Sequence, residues 1–191
     1  MAGKWRRKGV KEVTDPALIS VVGFSGAGKT TLLEKLIHEL ASRGYNVGSI
    51  KHDVHGFEMD KPGKDSWRHK HAGAAVTIIS SPHQIGMVMD VDHDYHPDEL
   101  KRFFSNMDIV LTEGYKQGDK PKLEIFRHEL RDEPLCKNDD HLIALISDTR
   151  FDLGVPHFSL NDVKGLADFL INRFNLDEVD RHREKGAVTG N

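Results

Sequence analysis

The sequence predicts an α/β fold with a mostly parallel sheet and helices on both faces. Short, continuous apolar runs such as Leu18–Val22 and Leu142–Ser147 are typical of strands that are buried on both faces of a sheet. An amphipathic helical segment, Lys29–Ser42, follows the first of these runs, and the alternation of strand and helix continues along the chain. Because parallel neighbours need long crossover connections, this alternation favours parallel pairing.

The first predicted helix lies between two predicted strands. It spans Lys29–Ser42, and Gly44 is well placed to end it. Its apolar face, which we expect to pack on the sheet, consists of Leu33, Leu36, Ile37 and Leu40. The second strand, Val47–Ile50, is followed by a polar loop and then by a short basic helix at about residues 65–72.

The rest of the chain continues the pattern. The predicted elements are the strands Ala74–Ser80, Gln84–Val91, Asp108–Thr112, Leu123–Arg127 and Leu142–Ser147, a helix from Pro97 to Phe104, and a final helix, Asp162–Phe174. We expect Gln84–Val91 to be an antiparallel edge strand and Asn161 to cap the final helix. These elements predict one domain over residues 17–174, a basic, flexible lead-in over 1–16 and a charged, flexible tail over 175–191.

Composition excludes several classes of protein. With 38% hydrophobic and 30% charged residues, the chain has an ordinary globular composition. A formal net charge of −3 gives no general basic surface for nucleic acid. The longest apolar run, Ala74–Ile79, is too short to cross a bilayer, and no apolar signal segment follows the basic N-terminus. The single cysteine, Cys136, can form neither an internal disulfide nor a multi-cysteine zinc site, so we expect a cytoplasmic protein.

One motif predicts the fold family. The segment Gly23–Thr30, GFSGAGKT, matches the pattern of a phosphate-binding loop (P-loop), which is glycine, four residues and then Gly-Lys-Ser/Thr. Glycines let the backbone N–H groups of such a loop point at phosphate oxygens, and the following helix adds the positive end of its dipole. Since the motif lies between a buried strand and an amphipathic helix, we predict a P-loop NTPase fold. The predicted phosphate-binding residues are Gly23, Ser25, Gly26, Ala27, Gly28, Lys29, Thr30 and Thr31.

Individual side chains of this site have distinct predicted roles. Lys29 is expected to reach the β- and γ-phosphates, and the Thr30 hydroxyl to bind Mg²⁺. Such sites need a carboxylate at the end of another core strand, and Glu113, which closes DIVLTE, is the best candidate. Asp108 lies at the wrong end of that strand. Asp148, which follows the last predicted strand, could accept hydrogen bonds from guanine, although the Asn-Lys-x-Asp pattern of many guanine-binding proteins is absent.

A polar stretch that begins at Lys51, KHDVHGFEMDKPGKDS, allows several interpretations. His52 and His55 have a spacing that can hold a transition metal, and a carboxylate such as Asp60 can hold Mg²⁺. Lys51, Lys64 and the Pro-Gly turn suit an anion. The stretch leaves the C-terminal end of a parallel strand, where open α/β sheets bind ligands. This position favours an anion-facing switch over a transition-metal site.

Three segments of the chain together resemble a known family. In this order and spacing, GFSGAGKTTLLEKLI, VGSIKHDVHGFEMDKPGKDSWRHKHAGA and DIVLTEGYK resemble the MobB proteins of molybdopterin guanine dinucleotide biosynthesis, and the resemblance covers about residues 18–175. It implies a P-loop protein that binds GTP with Mg²⁺, is usually a homodimer and has weak GTPase activity. It also implies a helper role toward molybdopterin or the guanylyltransferase that joins GMP to it.

The same resemblance implies roles for individual residues. It assigns phosphate binding to Gly26, Gly28, Lys29, Thr30 and Thr31. It places two carboxylates on the magnesium side of the site, those of Asp60 and Glu113. It also implies a loop that faces the γ-phosphate or a second anionic ligand, with Lys51, His52, Lys64 and Asp65.

Alternatives to a slow GTPase stay open at this point. A metal-delivery GTPase of the urease or hydrogenase accessory type would suit the 12 histidines, although they are scattered along the chain. A nucleotide-binding adaptor without meaningful hydrolysis fits the same motifs, and a small-molecule kinase is less well supported. If GTP is hydrolysed, Lys29 and Glu113 are the predicted catalytic residues. The motifs contain no obvious arginine finger, and Arg68 is a conceivable donor.

Overall fold

The computed structural model describes residues 15–176. The predicted lead-in and tail lie outside the described residues, apart from their innermost positions. Within the described part, the chain forms two compact units. The first, here called the sheet unit, comprises residues 15–52 and 97–176, and the second, the hairpin unit, comprises residues 53–96.

The predicted strands and helices are present, with ends shifted by a few residues. In chain order they are β1 (Ala17–Val22), α1 (Lys29–Ser42), β2 (Val47–Lys51), α2 (Asp65–His71), β3 (Val76–Ser80), β4 (Ile85–Met89), α3 (Pro97–Leu100), β5 (Ile109–Glu113), β6 (Lys122–Phe126), β7 (Leu142–Ser147), β8 (His157–Phe158) and α4 (Val163–Arg173). β8 is too short to be recognised from its sequence pattern. None of the helices within 15–176 has the length and apolar character that a bilayer crossing requires.

The sheet unit is built on six strands in the order β2-β5-β1-β6-β7-β8. Neighbouring strands in this sheet are parallel throughout. The prediction of a mostly parallel sheet is therefore confirmed. Since β1 lies between β5 and β6, the residues that follow these three strands meet at one edge of the sheet.

Helices cover the two faces of this sheet unequally. α1 and α4 contact each other on one face, where Leu36 of α1 and Leu170 of α4 are fully buried. The apolar face predicted for α1 is confirmed, because all of its members pack against this core. On the other face, the Phe104 ring lies over Gly48 of β2, where an added Cβ atom would be 2.5 Å from the ring. Only glycine leaves room for this aromatic contact.

Two helix ends in the sheet unit differ from the prediction. Asn161 does not cap the final helix; the N-cap is Asp162, whose carboxylate accepts a hydrogen bond from the Gly165 N–H at 3.0 Å. Asn and Asp are equally good N-cap residues, so their pattern does not separate two adjacent positions. The predicted helix from Pro97 to Phe104 is divided into the single turn α3 and a 3₁₀ helix, Lys101–Phe103.

The hairpin unit contains α2 and the antiparallel pair β3–β4. An antiparallel edge strand was predicted for Gln84–Val91 and is confirmed, because β4 pairs with β3 in a separate two-stranded sheet, where each strand has one neighbour. No residue of this unit is buried. The outer face of the hairpin is apolar and 40–74% exposed; it consists of Val76, Ile78, Ile85 and Met87. This unit therefore has no core of its own.

Candidate phosphate-binding site

The P-loop motif lies at the C-terminal edge of the parallel sheet. β1 ends at Val22 and α1 begins at Lys29, so the motif forms the tight connection between them. In the strand register, Val21 is paired with Glu113 of β5, and Val22 with Glu124 of β6. The ends of β5 and β6 therefore flank the loop on its two sides.

The backbone of the loop requires glycine at two positions. A Cβ atom at Gly23 would lie 2.4 Å from the carbonyl oxygen of Ile125, which is too close for any side chain. Gly28, the N-cap of α1, has a φ of 100°, in the left-handed region that favours glycine. No side chain caps the first turn of α1. The N–H groups at the start of this 14-residue helix are therefore left for an anion, and the helix dipole adds to their attraction.

The Lys29 ammonium group lies across the loop. It donates hydrogen bonds to the carbonyl oxygens of Phe24 at 2.9 Å and of Gly23 at 3.3 Å. Burial lowers the pKa of Lys29, the nearby Lys116 charge lowers it further, and the Glu113 carboxylate opposes both. A phosphate group could replace the two carbonyl acceptors and would favour the charged ammonium form.

The structure brings Thr30 and Glu113 together, and their predicted role in holding Mg²⁺ stays a prediction. The Thr30 hydroxyl lies 3.1 Å from each carboxylate oxygen of Glu113. The hydroxyl comes from the first turn of α1 and the carboxylate from the end of β5, the neighbour of β1. An all-oxygen donor set with a carboxylate fits Mg²⁺. Asp108 lies at the opposite end of β5, where it accepts a hydrogen bond from the Asn46 N–H at 2.7 Å.

The end of β2 pairs with the end of β5, the strand that carries Glu113. Lys51 is paired in register with Glu113, and the His52 N–H donates to the Glu113 carbonyl oxygen at 2.9 Å. The His52 ring stacks on Tyr115 with 4.2 Å between ring centroids. Tyr115 has a φ of 52°, an uncommon conformation for a non-glycine residue. The predicted residues Lys51 and His52 therefore lie beside Glu113, and His52 has packing contacts there.

Asp148 lies at the same edge of the sheet, directly after β7. Its side chain is exposed, and one carboxylate oxygen is 3.3 Å from the Thr149 hydroxyl and 3.5 Å from the His128 N–H. β6 separates β7 from β1, so Asp148 follows a strand two positions away from the P-loop strand. Its predicted contact with a guanine base stays a prediction.

The other predicted ligands belong to the hairpin unit. Asp60 accepts a hydrogen bond from the Lys61 N–H at 2.8 Å. Lys64 is the N-cap residue of α2 and Asp65 its first residue, and both are exposed. His55 donates its N–H to the Asp53 carboxylate at 3.0 Å. The predicted ligand roles of Asp60, Lys64 and Asp65 stay predictions.

Three basic residues at the loop were not identified from the sequence. The Arg127 Nε–H donates to the Ala27 carbonyl oxygen at 3.1 Å. The Arg131 guanidinium lies over the Phe24 ring, 5.0 Å from its centroid. Lys116, the last residue of the quoted segment DIVLTEGYK, lies close enough to influence Lys29. The signal that could have found Lys116 and Arg127 is their position just beyond the ends of core strands.

Comparison with protein families agrees with these features. Residues 18–148, more than half of the chain, match the family model of molybdopterin guanine dinucleotide synthesis protein B, MobB. The molybdopterin-guanine dinucleotide biosynthesis adapter protein of Escherichia coli K12 is 40% identical over 163 residues, which are 81% of this chain and 91% of the relative. The adapter protein of the same name from Haemophilus influenzae is 36% identical over 157 residues, 81% of this chain and 88% of the relative.

Solved structures show the same fold. The crystal structure of Bacillus subtilis MobB has a TM-score of 0.66 and 29% identity, and the match covers 82% of this chain and 96% of that one. A crystal structure of molybdopterin-guanine biosynthesis protein B has a TM-score of 0.64 and 26% identity, with 81% and 98% of the two chains covered. The predicted P-loop NTPase fold and the family resemblance are confirmed. The chain belongs to the MobB family of molybdopterin guanine dinucleotide biosynthesis.

Proposed function

We propose that this protein is a GTP-binding adapter of molybdopterin guanine dinucleotide biosynthesis that hydrolyses its nucleotide slowly. The observation that carries the proposal is the Thr30–Glu113 contact at 3.1 Å beside Lys29, inside a P-loop. The adapter role follows from the family and from the names of the E. coli and H. influenzae relatives. As an adapter, the protein acts on the enzymes of this biosynthesis, and the proposed partner is molybdopterin or the guanylyltransferase that joins GMP to it.

In the proposed complex the chain supplies three kinds of contact. Backbone N–H groups at the start of α1 donate to phosphate oxygens. Lys29 exchanges its two loop carbonyl acceptors for oxygens of the β- and γ-phosphates. The Thr30 hydroxyl and the Glu113 carboxylate would hold Mg²⁺, which neutralises phosphate charge when it is bound.

Hydrolysis, as proposed, breaks the bond between the γ-phosphorus and the bridging oxygen while a water oxygen bonds to that phosphorus, which yields GDP and phosphate. Lys29 stabilises the negative charge that develops on the transferred group. Glu113 would keep Mg²⁺ in position beside the phosphates. In this role both residues are catalytic. Slow turnover is expected because the motifs contain no obvious arginine finger.

Calorimetric titration with GTP and Mg²⁺ tests nucleotide binding. Hydrogen bonds to charged groups contribute about 1.5–3 kcal/mol each, so Lys29→Ala is expected to weaken GTP binding roughly 10–100-fold. Glu113→Gln should weaken binding only when Mg²⁺ is present. Asp140→Asn is the control, because this exposed carboxylate precedes β7 at the opposite edge of the sheet. Equal affinities in wild type and Lys29→Ala would contradict the proposal.

Single-turnover hydrolysis separates a slow GTPase from an adapter that only binds. Wild type should release phosphate faster than Lys29→Ala and Glu113→Gln at saturating GTP. If all three proteins bind GTP but hydrolyse it at the same background rate, the protein binds GTP without using hydrolysis. That result removes the catalytic roles of Lys29 and Glu113 and leaves the adapter role intact.

Asp148 is proposed to select the base. A carboxylate can accept two hydrogen bonds from the N1 and N2 groups of guanine, and adenine lacks this donor pair. Asp148→Ala should therefore reduce the preference for GTP over ATP, with little change in the affinity for ATP. An unchanged ratio of the two dissociation constants would show that Asp148 is an ordinary exposed loop residue.

The polar segment after β2 is proposed to act as an anion-facing switch. Lys51, His52, Lys64 and Asp65 would face the γ-phosphate or the anionic pterin, and Asp60 would lie on the metal side. Lys51 and His52 belong to the sheet unit and contact the strand that ends at Glu113. Lys64→Ala and Asp60→Ala should lower GTP affinity or the yield of mature cofactor in a reconstituted assay. Normal values in both variants would remove Asp60 and Lys64 from the site.

A homodimer is also proposed, with the outer face of the hairpin as its contact surface. An isolated two-stranded sheet is only marginally stable in water. The four apolar side chains on this face are 40–74% exposed, and the hairpin unit has no buried residue. A second copy of the same face would remove these side chains from water, and hydrophobic burial is the main driving force for such association.

A further inference from the structure

Arg127 makes a hydrogen bond to the backbone of the P-loop. It is the residue after β6, the strand that pairs with β1 on the side away from β5. Its Nε–H donates to the Ala27 carbonyl oxygen at 3.1 Å. Arg127 also forms an ion pair between Nη1 and the exposed Glu129 carboxylate, and this contact is longer, at 3.7 Å. The best-formed bond of Arg127 is thus made to the loop.

This bond fixes the plane of one loop peptide. The Ala27–Gly28 peptide is trans, as are all described peptides. In a trans peptide the carbonyl oxygen and the next N–H point in opposite directions. Because Arg127 holds the Ala27 oxygen on its side, the Gly28 N–H points away from Arg127. That N–H donates to no other group among residues 15–176, so it is left for an external acceptor.

We propose that Arg127 is a positioning residue of the phosphate site, which turns the Gly28 N–H toward the phosphate groups of the bound ligand. It acts through the Ala27–Gly28 peptide and does not need to touch the ligand. The identity of the ligand as a nucleotide rests on the proposed function. The orientation of the peptide does not, because it is a property of the chain alone.

Arg131 provides a matched control. It comes four residues after Arg127 in the same connection between β6 and β7 and carries the same charge. It also lies against the P-loop, but its guanidinium contacts the Phe24 ring at 5.0 Å and not a loop carbonyl. Removing either arginine deletes one positive charge beside the loop. Only removal of Arg127 releases the Ala27 carbonyl.

The experiment uses the full chain with ¹⁵N labelling and three variants, Arg127→Ala, Arg127→Lys and Arg131→Ala. We expect the Gly28 amide resonance of Arg127→Ala to shift and its hydrogen exchange to change without ligand, whereas Arg131→Ala leaves both unchanged. Pyrophosphate, which has no base, is then titrated. Its dissociation constant should rise about tenfold in Arg127→Ala and about twofold in Arg131→Ala. Arg127→Lys, which keeps the charge, should fall between them.

Chemical rescue separates positioning from a general structural role. Methylguanidinium at millimolar concentration should restore pyrophosphate binding to Arg127→Ala and not to Arg131→Ala. Equal weakening in the two alanine variants, or an unchanged Gly28 amide in Arg127→Ala, would overturn the proposal while leaving the proposed function in place. If the wild type binds neither pyrophosphate nor GTP, the proposed function fails, and the ligand-free Gly28 amide still decides whether Arg127 orients this peptide.

Discussion

The strands β5 and β3 are similar in sequence and opposite in environment. β5 is IVLTE and β3 is VTIIS, and both consist mainly of apolar and β-branched residues. Ile109 and Leu111 of β5 are fully buried, whereas Ile78 and Ile79 of β3 are 58% and 54% exposed. β5 has a strand on each side, and β3 has one neighbour. An apolar run therefore specifies a strand, but its burial depends on partners elsewhere in the chain or outside it.

The same contrast separates the two units. The sheet unit encloses its core between the sheet and the α1–α4 pair. The hairpin unit is close to the size at which a chain can no longer bury a core alone. We infer a division of roles in which the sheet unit holds the nucleotide and the hairpin unit associates with another surface. Each of the following predictions breaks or sharpens this comparison.

Thiol labelling should show the largest difference between the units. Cys136 is 5% exposed, and burial, with the charges of Glu124 and Asp139, raises its pKa to about 12. At pH 8 a pKa of about 12 in place of 9.0 lowers the thiolate fraction about a thousandfold, so native Cys136 should be alkylated about a thousandfold more slowly than in urea. In a Cys136→Ala background, the variant His83→Cys in the hairpin turn should react like a free thiol.

The raised pKa also fixes the sign of a pH dependence. The protonated Cys136 thiol contributes its full stabilisation below the ordinary thiol pKa of 9.0, and this contribution is lost as the pH rises toward about 12. Wild type should therefore lose more stability than Cys136→Ala between pH 9 and pH 11.

For the labelling experiment, rapid alkylation of native Cys136 at pH 8 would contradict a closed core in the sheet unit.

Truncation of one apolar side chain in each unit should give the next largest difference. Leu111→Ala leaves a cavity in the core and should lower the free energy of unfolding by about 3 kcal/mol. Ile78→Ala removes a side chain that is 58% exposed, and at protein concentrations too low for association it should change that free energy by about 0.5 kcal/mol or less. Urea unfolding followed by circular dichroism measures both. Similar losses would contradict the difference in burial between Leu111 and Ile78.

Charge on the hairpin should affect association more than folding. Ile78→Lys places an ammonium group in the proposed dimer contact and should weaken dimerisation at least about 30-fold, as expected for a central interface side chain. Gln84→Lys adds the same charge at the exposed turn and should leave dimerisation unchanged. Sedimentation equilibrium gives both dissociation constants. A wild type that is monomeric at high concentration would leave the outer face to another partner and end the homodimer proposal.

Local patterns predicted those parts of the molecule that local chemistry determines. The spacing of Gly23 to Thr30 identifies a P-loop because every functional group lies within eight residues. Glu113 was recognised because a polar residue that ends a core strand must lie at the ligand-binding edge. The Thr30–Glu113 contact, between residues 83 positions apart, agrees with both arguments.

The sequence could not predict features that depend on distant packing. Arg127 and Ala27 are 100 positions apart. The position of Arg127 just beyond a core strand places it at the ligand-binding edge, but it does not predict a hydrogen bond to a loop carbonyl. Gln84–Val91 was expected to be an antiparallel edge strand, but its pairing with β3 in a separate sheet was not predicted, because a strand's own residues do not state which strands it will pair with. The sequence could not decide whether Asn161 or Asp162 caps α4, because the two residues are adjacent and both types are good N-caps.

The helix caps of the two units provide the smallest and most local test. α4 in the sheet unit has a side-chain cap from Asp162, while Lys64, the N-cap residue of α2 in the hairpin unit, makes no capping hydrogen bond with its side chain. Asp162→Ala should lower the free energy of unfolding by about 1 kcal/mol, because the Gly165 N–H loses its acceptor. Asn161→Ala and Lys64→Ala should each change it by less than about 0.5 kcal/mol. If Asn161→Ala lowered the free energy of unfolding as much as Asp162→Ala does, the helix would start one residue earlier than in the structure. Asp162 would then not be the specific cap that distinguishes α4 from the uncapped α2.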